Sequence, residues 1–192
     1  MTEKQDFFNK PKIQKKYNLD EFLEFVKDKE ERYELINGKI YMMASPNVGH
    51  QNIVGEIFRK IGNYLEGKPC RAFISPLDVV LFEKVKKNSQ NVFQPDVFVI
   101  CDPKKISKNR IYGAPDLVIE IVSPSSETFD YFKKFWLYMK YGVKEYWIIN
   151  PDTKQIFAHI NGEEDTKKYS FDDKIKAGIF DDFYIDFKEL QI

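Results

Sequence analysis

Pro115-Asp116-Leu117-Val118-Ile119-Glu120-Ile121-Val122-Ser123-Pro124-Ser125 reads as a core strand, Asp116 to Ser123, with one acid set among apolar residues. A continuous apolar run bounded by prolines suits a strand covered on both faces. Glu120 is out of place there, because a buried charge is costly unless it is paired or bound to a metal. Ser125 or Ser126 then caps a helix, with Glu127 in its first turn. The expected buried stripe of that helix is Phe129, Phe132, Trp136 and Met139, and Gly142 supplies its stop. Glu145 to Asn150 gives the next strand, closed by Pro151-Asp152. Two strands joined by a helix should run parallel through a right-handed crossover.

Upstream lie two more strand-like runs, Ala72 to Phe82 and Val92 to Ile100, separated by a lysine-rich loop. Before them Ile53, Ile57, Ile61 and Leu65, joined by Val54 and Phe58, mark one face of a helix entered at Ser45-Pro46 and ended by Gly67-Lys68-Pro69. Asn37-Gly38 between Tyr33-Glu34-Leu35-Ile36 and Lys39-Ile40-Tyr41-Met42 signals a tight hairpin. Asn18 with Glu21 forms a capping-box pattern, so a short helix starts near Leu19. Asn161-Gly162 marks a last hairpin. The central order is helix, three strands, helix, strand. This predicts an α/β fold with a mixed central sheet and added N- and C-terminal hairpins. Residues 1–17 read as a flexible polar arm and 18–192 as a single domain.

Thirty basic residues balance thirty acidic ones, which argues against a nucleic-acid coat protein. It leaves room for an enzyme with a local basic surface, which Lys104, Lys105, Lys108 and Arg110, or Lys84, Lys86 and Lys87, can supply. No apolar run is long enough for a membrane helix or a signal peptide, so a cytoplasmic protein is expected. Cys70 and Cys101 match no metal spacing and read as ordinary thiols. Two histidines, His50 and His159, are too few and too far apart for a zinc site, and no Gly-rich phosphate loop or Gly-x-Ser-x-Gly is present.

What remains is acids in strands. Asp78 interrupts Pro76-Leu77-Asp78-Val79-Val80-Leu81, and Asp96 opens Gln94-Pro95-Asp96-Val97-Phe98-Val99. A hairpin turning near Lys87 would set Asp78 opposite Asp96. Like charges across a strand pair repel, and a hard divalent cation turns that repulsion into coordination. Asp130, Lys134 and Tyr138 follow each other at helical spacing. Lys134 reads either as half of an ion pair in water or as an amine turned back towards Glu120.

Tyr33-Glu34-Leu35-Ile36-Asn37-Gly38, Gln94-Pro95-Asp96-Val97, the stretch from Pro115 to Ser125, Asp130, Lys134, Tyr138, Gly142-Val143 and Glu145-Tyr146-Trp147-Ile148 together resemble the Uma-type family of bacterial endonucleases, long filed as a domain of unknown function. The resemblance runs from about Leu19 onward. It implies the PD-(D/E)XK restriction-endonuclease-like fold and hydrolysis of phosphodiester bonds, in DNA, with Mg²⁺ or Mn²⁺. It further implies Asp96, Glu120 and Lys134 as catalytic residues, with Glu34 as an added acid. Asp96 and Glu120 would hold the metal, with Asp78 beside them, and His50 would cap a helix or touch substrate. The superfamily's lysine would fall at Val122, on the same strand face as Glu120, and this chain departs there. Lys134 is the expected replacement, and as a residue acting on the transition state it should be dispensable for folding. The resemblance also implies a homodimer, so that two sites meet two strands. A nuclease fold kept for binding alone is the alternative.

Overall fold

A computed structural model describes residues 15–83, 85, 88–122 and 128–192, with the backbone alone for 128–132. Lys84, Lys86, Lys87, Ser125, Ser126 and Glu127 lie outside the described residues, as do the side chains of Phe129, Asp130 and Phe132. Of the N-terminal arm, Lys15 pairs with Glu21 at 3.4 Å, and the Tyr17 N–H donates to the Gly38 carbonyl at 2.8 Å.

The expected order is present. Helix α1 (Leu19–Val26) opens with the Asn18–Glu21 capping box. Strands β1 (Tyr33–Ile36) and β2 (Lys39–Met42) form the hairpin. Asn37 and Gly38 have φ of 50° and 79°, the pair of positive angles a two-residue turn requires. Helix α2 (Val48–Leu65) follows, capped by Asn47 rather than Ser45. Then come β3 (Arg71–Ile74), β4 (Val79–Leu81), β5 (Asn91–Phe93), β6 (Val97–Ile100), β7 (Ile111–Tyr112) and β8 (Leu117–Ile121). Helix α3 (Thr128–Tyr141) ends at Gly142, φ 89°, and leads into β9 (Glu145–Asn150), which pairs parallel with β8. Strands β10 (Gln155–Ile160) and β11 (Lys167–Ser170) form the late hairpin, and β12 (Lys174–Lys176) pairs with β13 (Tyr184–Asp186).

Two sequence runs expected as single strands are each divided between two sheets. Strands β3 and β6 belong to a six-stranded sheet of order β11-β10-β9-β8-β6-β3, whereas β4 and β5 belong to a five-stranded sheet of order β2-β1-β5-β4-β7. The breaks fall at Pro76 and Pro95, which have no N–H to give a ladder. The ladder from Ile74↔Val97 resumes at Val79↔Phe93, with one more residue on the first strand than on the second. That offset places Asp78 across from Gln94, not Asp96.

The six-stranded sheet is covered on both faces. On one, Ile53, Val54, Ile57, Ile61 and Leu65 of α2 pack on Val97, Val99, Leu117, Ile119 and Trp147. On the other, Leu137 and Tyr138 of α3, with Val79, Leu81 and Phe93 of the smaller sheet, pack on Phe98, Ile100 and Val118. Helix α1 closes the outside of the smaller sheet through Leu19 and Phe22, against Leu35, Val80 and Val92.

Two expectations are corrected here. Cys70 and Cys101 are joined in a disulfide. The Arg71↔Ile100 register, continued by one step, sets them opposite each other. The buried stripe of α3 also differs: Trp136 is 69% exposed, while Leu137 and Tyr138 are buried. The helix is turned so that Lys134 faces inward, which carries Trp136 out to solvent.

Candidate active site

Glu120 is 4% exposed, in a strand whose every residue is buried. Tyr138 and Lys134, one turn apart on the inner face of α3, both reach it. The Tyr138 hydroxyl donates to Glu120 Oε1 at 2.9 Å, and Lys134 Nζ donates to the same oxygen at 3.2 Å. Lys134 is 9% exposed, and its amine also lies 2.9 Å from both carboxylate oxygens of Glu34. Glu34 stands on β1 of the smaller sheet and accepts the Gln94 N–H at 3.0 Å. A lysine on a helix therefore joins an acid of one sheet to an acid of the other.

Asp96 sits at the corner just before β6. One step beyond the Val97↔Ile119 pair, it falls opposite Glu120. By strand alternation both acids lie on the face of Phe98 and Val118. Asp96 Oδ2 accepts the Ile121 N–H at 2.8 Å and lies 3.1 Å from His50 Nε2. His50 is in the first turn of α2, where its own N–H donates to the Asn47 side chain at 2.8 Å.

Among the described residues, charge at this point is unbalanced: three carboxylates share one ammonium and a histidine. Burial pushes the Glu120 carboxyl up to about 7, the charges of Asp96 and Glu34 act the same way, and Lys134 and Tyr138 only partly offset them. Burial opposes the charge on Lys134, but the Glu120 and Glu34 carboxylates outweigh it and raise its pKa, so it stays an ammonium. Burial, then Glu120, raises the Tyr138 hydroxyl far above its ordinary value. For His50, burial lowers the pKa and the bond to Asp96 more than restores it. By contrast Glu145, 1% exposed, is held by the Trp147 indole at 2.7 Å and the Ile179 N–H at 2.9 Å, as a purely structural acid would be.

Of the residues singled out in the sequence, Glu34, His50, Asp96, Glu120 and Lys134 come together. Asp78 is engaged elsewhere, one oxygen by Gln94 Nε2 at 3.0 Å and the other by Arg110 Nε at 3.1 Å, and strand alternation puts it on the face of Val80 and Val92. Sequence reasoning gave Tyr138, Gln94 and Arg110 no role at the acids. Only Tyr138 carried a signal, its spacing of four from Lys134. Lys104 and Lys108 are exposed, while the Lys105 amine is held by the Ala114 carbonyl at 2.7 Å. Among the described residues, no three or more His, Cys, Asp or Glu side chains are grouped so as to hold a metal ion. The local donors nevertheless fit a hard divalent cation: two opposed carboxylates on one face, oxygen donors, and a surplus of negative charge.

Residues 19–178 match the Uma2 family, described as "Putative restriction endonuclease". The chain is 32% identical over 123 residues to the uncharacterized protein slr1290 of Synechocystis sp. (strain ATCC 27184 / PCC 6803 / Kazusa), covering 64% of this chain and 62% of that protein. It is 24% identical over 166 residues to the uncharacterized protein sll1609 of the same strain, covering 79% of this chain and 91% of that one. The fold is similar to the crystal structure of "a putative nuclease belonging to DUF820" from Anabaena variabilis ATCC 29413. The TM-score is 0.75 and the identity 24%, over 91% of this chain and 97% of the other. Among the described residues no helix is long and apolar enough to cross a membrane.

Proposed function

Because the chain belongs to the Uma2 family, we propose that it is a divalent-metal-dependent endonuclease that hydrolyses phosphodiester bonds in DNA. One observation carries this reading: the buried ammonium of Lys134 lies 3.2 Å from Glu120, which faces Asp96 across a strand pair. A buried charge network that leaves negative charge in surplus is expensive, and such arrangements gather at functional sites.

Asp96 and Glu120 would hold Mg²⁺ or Mn²⁺, through the oxygens not engaged in the bonds described above, with the Ile121 carbonyl as a further ligand. The cation supplies Lewis-acid chemistry, drawing charge from the phosphate and making a water more acidic. The protein side does the rest. His50 and the Ile121 N–H fix the Asp96 carboxylate. Tyr138 fixes Glu120 and keeps its own proton. Lys134, anchored by Glu34, turns part of its hydrogen bonding towards the phosphate as negative charge builds there, and so favours the transition state. Asp78 is a weaker candidate ligand, since Arg110 and Gln94 already bind it. We place the reaction in the cytoplasm and on a homodimer, whose mass light scattering would report.

The test is cleavage of supercoiled plasmid. Nicking or linearisation should occur with Mn²⁺ or Mg²⁺, stop with EDTA, and vanish in Asp96→Ala and Glu120→Ala. DNA that is bound but left uncut under every metal condition would instead establish a binding module that keeps the fold.

A further inference from the structure

Arg32 stands two residues before Glu34, and its carbonyl accepts the Met43 N–H at 2.8 Å, which carries the β1–β2 ladder one step past Tyr33↔Met42. By alternation its side chain leaves the smaller sheet on the face of Glu34. Its Nη1 donates to Ser75 Oγ at 2.7 Å. Ser75 belongs to the row of acids in the other sheet. One step beyond the Ile74↔Val97 pair it falls opposite Asp96, whose carbonyl accepts the Ser75 N–H at 3.3 Å, and Asp96 in turn falls opposite Glu120. Alternation puts the Ser75 side chain on the face of Phe73 and Phe98, which is the face of both acids. The two sheets therefore meet twice across the site, at Arg32–Ser75 and at Glu34–Lys134–Glu120, with Asp96 in the row between.

Both acceptors of the Arg32 side chain are neutral, since its other bond runs from Nη2 to the Ala44 carbonyl at 3.3 Å. Among the described residues no carboxylate pairs with it. A guanidinium has five N–H donors, of which two are used here and three remain. The residue is half-buried, so those donors are held in place without being sealed from solvent. A planar, oriented guanidinium with donors to spare suits a phosphate, to which it can give more than one bond. We infer that Arg32 binds a phosphate of the substrate strand beside the one that is cut, on the Asp96 side of the site, with Ser75 and the Ala44 carbonyl aiming the guanidinium. The inference rests on the proposed nuclease site and adds to it a contact for the nucleic-acid backbone.

The experiment is fluorescence anisotropy of a short labelled DNA duplex, with EDTA so that nothing is cut, over a series of salt concentrations. The proteins are the full chain and its Arg32→Gln, Arg32→Lys, Ser75→Ala and Arg59→Gln variants. Arg32→Gln should weaken binding about tenfold. It should also lower the slope of log affinity against log salt by about 1, the share of one phosphate contact. Arg32→Lys keeps the charge but not the fork, so it should keep the slope and lose part of the affinity. Ser75→Ala frees one end of the guanidinium and should keep the slope too. Arg59→Gln removes the same charge from the exposed side of α2, where Arg59 already pairs with Glu56 at 2.7 Å, and should change neither quantity. Thermal melting checks folding, and if Arg32→Gln unfolds, weaker binding by folded Arg32→Lys decides. Affinity and slope unchanged in folded Arg32→Gln overturn the inference. An equal loss of slope in Ser75→Ala or Arg59→Gln also overturns it, because the effect would then come from the local fold or from net charge. Plasmid cut with Mn²⁺ while binding is indifferent to Arg32 removes this inference alone. If the unmodified chain neither binds the duplex nor cuts plasmid, the nuclease reading fails and this inference with it.

Discussion

Lys134→Ala removes the only ammonium that, among the described residues, stands against Glu34 and Glu120, both buried. Removing one partner of a buried ion pair typically costs about 3–5 kcal/mol, because the charge left behind has no compensation. In a chain of this size each kcal/mol lowers the melting temperature by about 2–4 °C, so a drop on the order of 10 °C is expected at pH 8 with EDTA. The deficit should shrink by pH 5.5, where Glu120, with its pKa near 7, has taken up a proton. It should shrink too with added Mn²⁺, which replaces the lost positive charge. Lys134→Met, which restores bulk but not charge, should show the same dependence on pH. Circular dichroism melts under these three conditions test the argument. A variant melting within about 2 °C of the parent at pH 8 without metal would refute it, as would a deficit indifferent to pH. From sequence alone Lys134→Ala is expected to fold normally, and the two carboxylates on its amine are the reason to reverse that.

Glu120 also makes stability depend on pH. Its folded-state pKa of about 7 lies above its ordinary 4.5, so the folded protein binds a proton that the unfolded chain has released. The contribution is full below 4.5 and lost as pH rises through 7, a change of about 3 kcal/mol in metal-free protein that denaturant titration should show and Glu120→Gln should abolish. Leu137→Ala should cost about 2–5 kcal/mol in the same assay and Trp136→Ala under about 0.5, reversing the order that size alone suggests. Tyr138→Phe deletes a donor to Glu120, so the carboxyl pKa should rise, and the pH at which Mn²⁺ affinity reaches half its maximum should move upward with it. Gly38→Ala should destabilise the protein by about 1 kcal/mol or more in a denaturant titration, since at φ 79° its new Cβ would stand 2.9 Å from Lys16 Cβ.

The element order was legible because each signal was local. Asn37-Gly38 specified its turn, the spacing of four in Ile53 to Leu65 its helix, and the apolar run around Glu120 its strand. Misreadings arose where a distant partner decides. Pro76 and Pro95 lie inside two runs read as single strands, and only tertiary packing sends the halves to different sheets. The Cys70–Cys101 pairing depends on cross-strand register, which spacing along the chain does not carry. For α3, hydropathy ranks tryptophan inside and lysine outside. The partners that bring Lys134 in are Glu34, one hundred residues upstream, and Glu120.

The placement of Lys134 on α3 gives the cluster two different mountings, joined at Glu120. Asp96 and Glu120 are tied by a backbone ladder, so their spacing is nearly fixed. The lysine is held by the seating of a helix, through Leu137, Tyr138 and the Val143 that follows its stop. Changing the volume of one of those side chains would tilt or slide the helix and move the amine relative to the acids, while no charged residue is touched. Such a joint lets drift in a greasy contact retune the spacing between the amine and the acids.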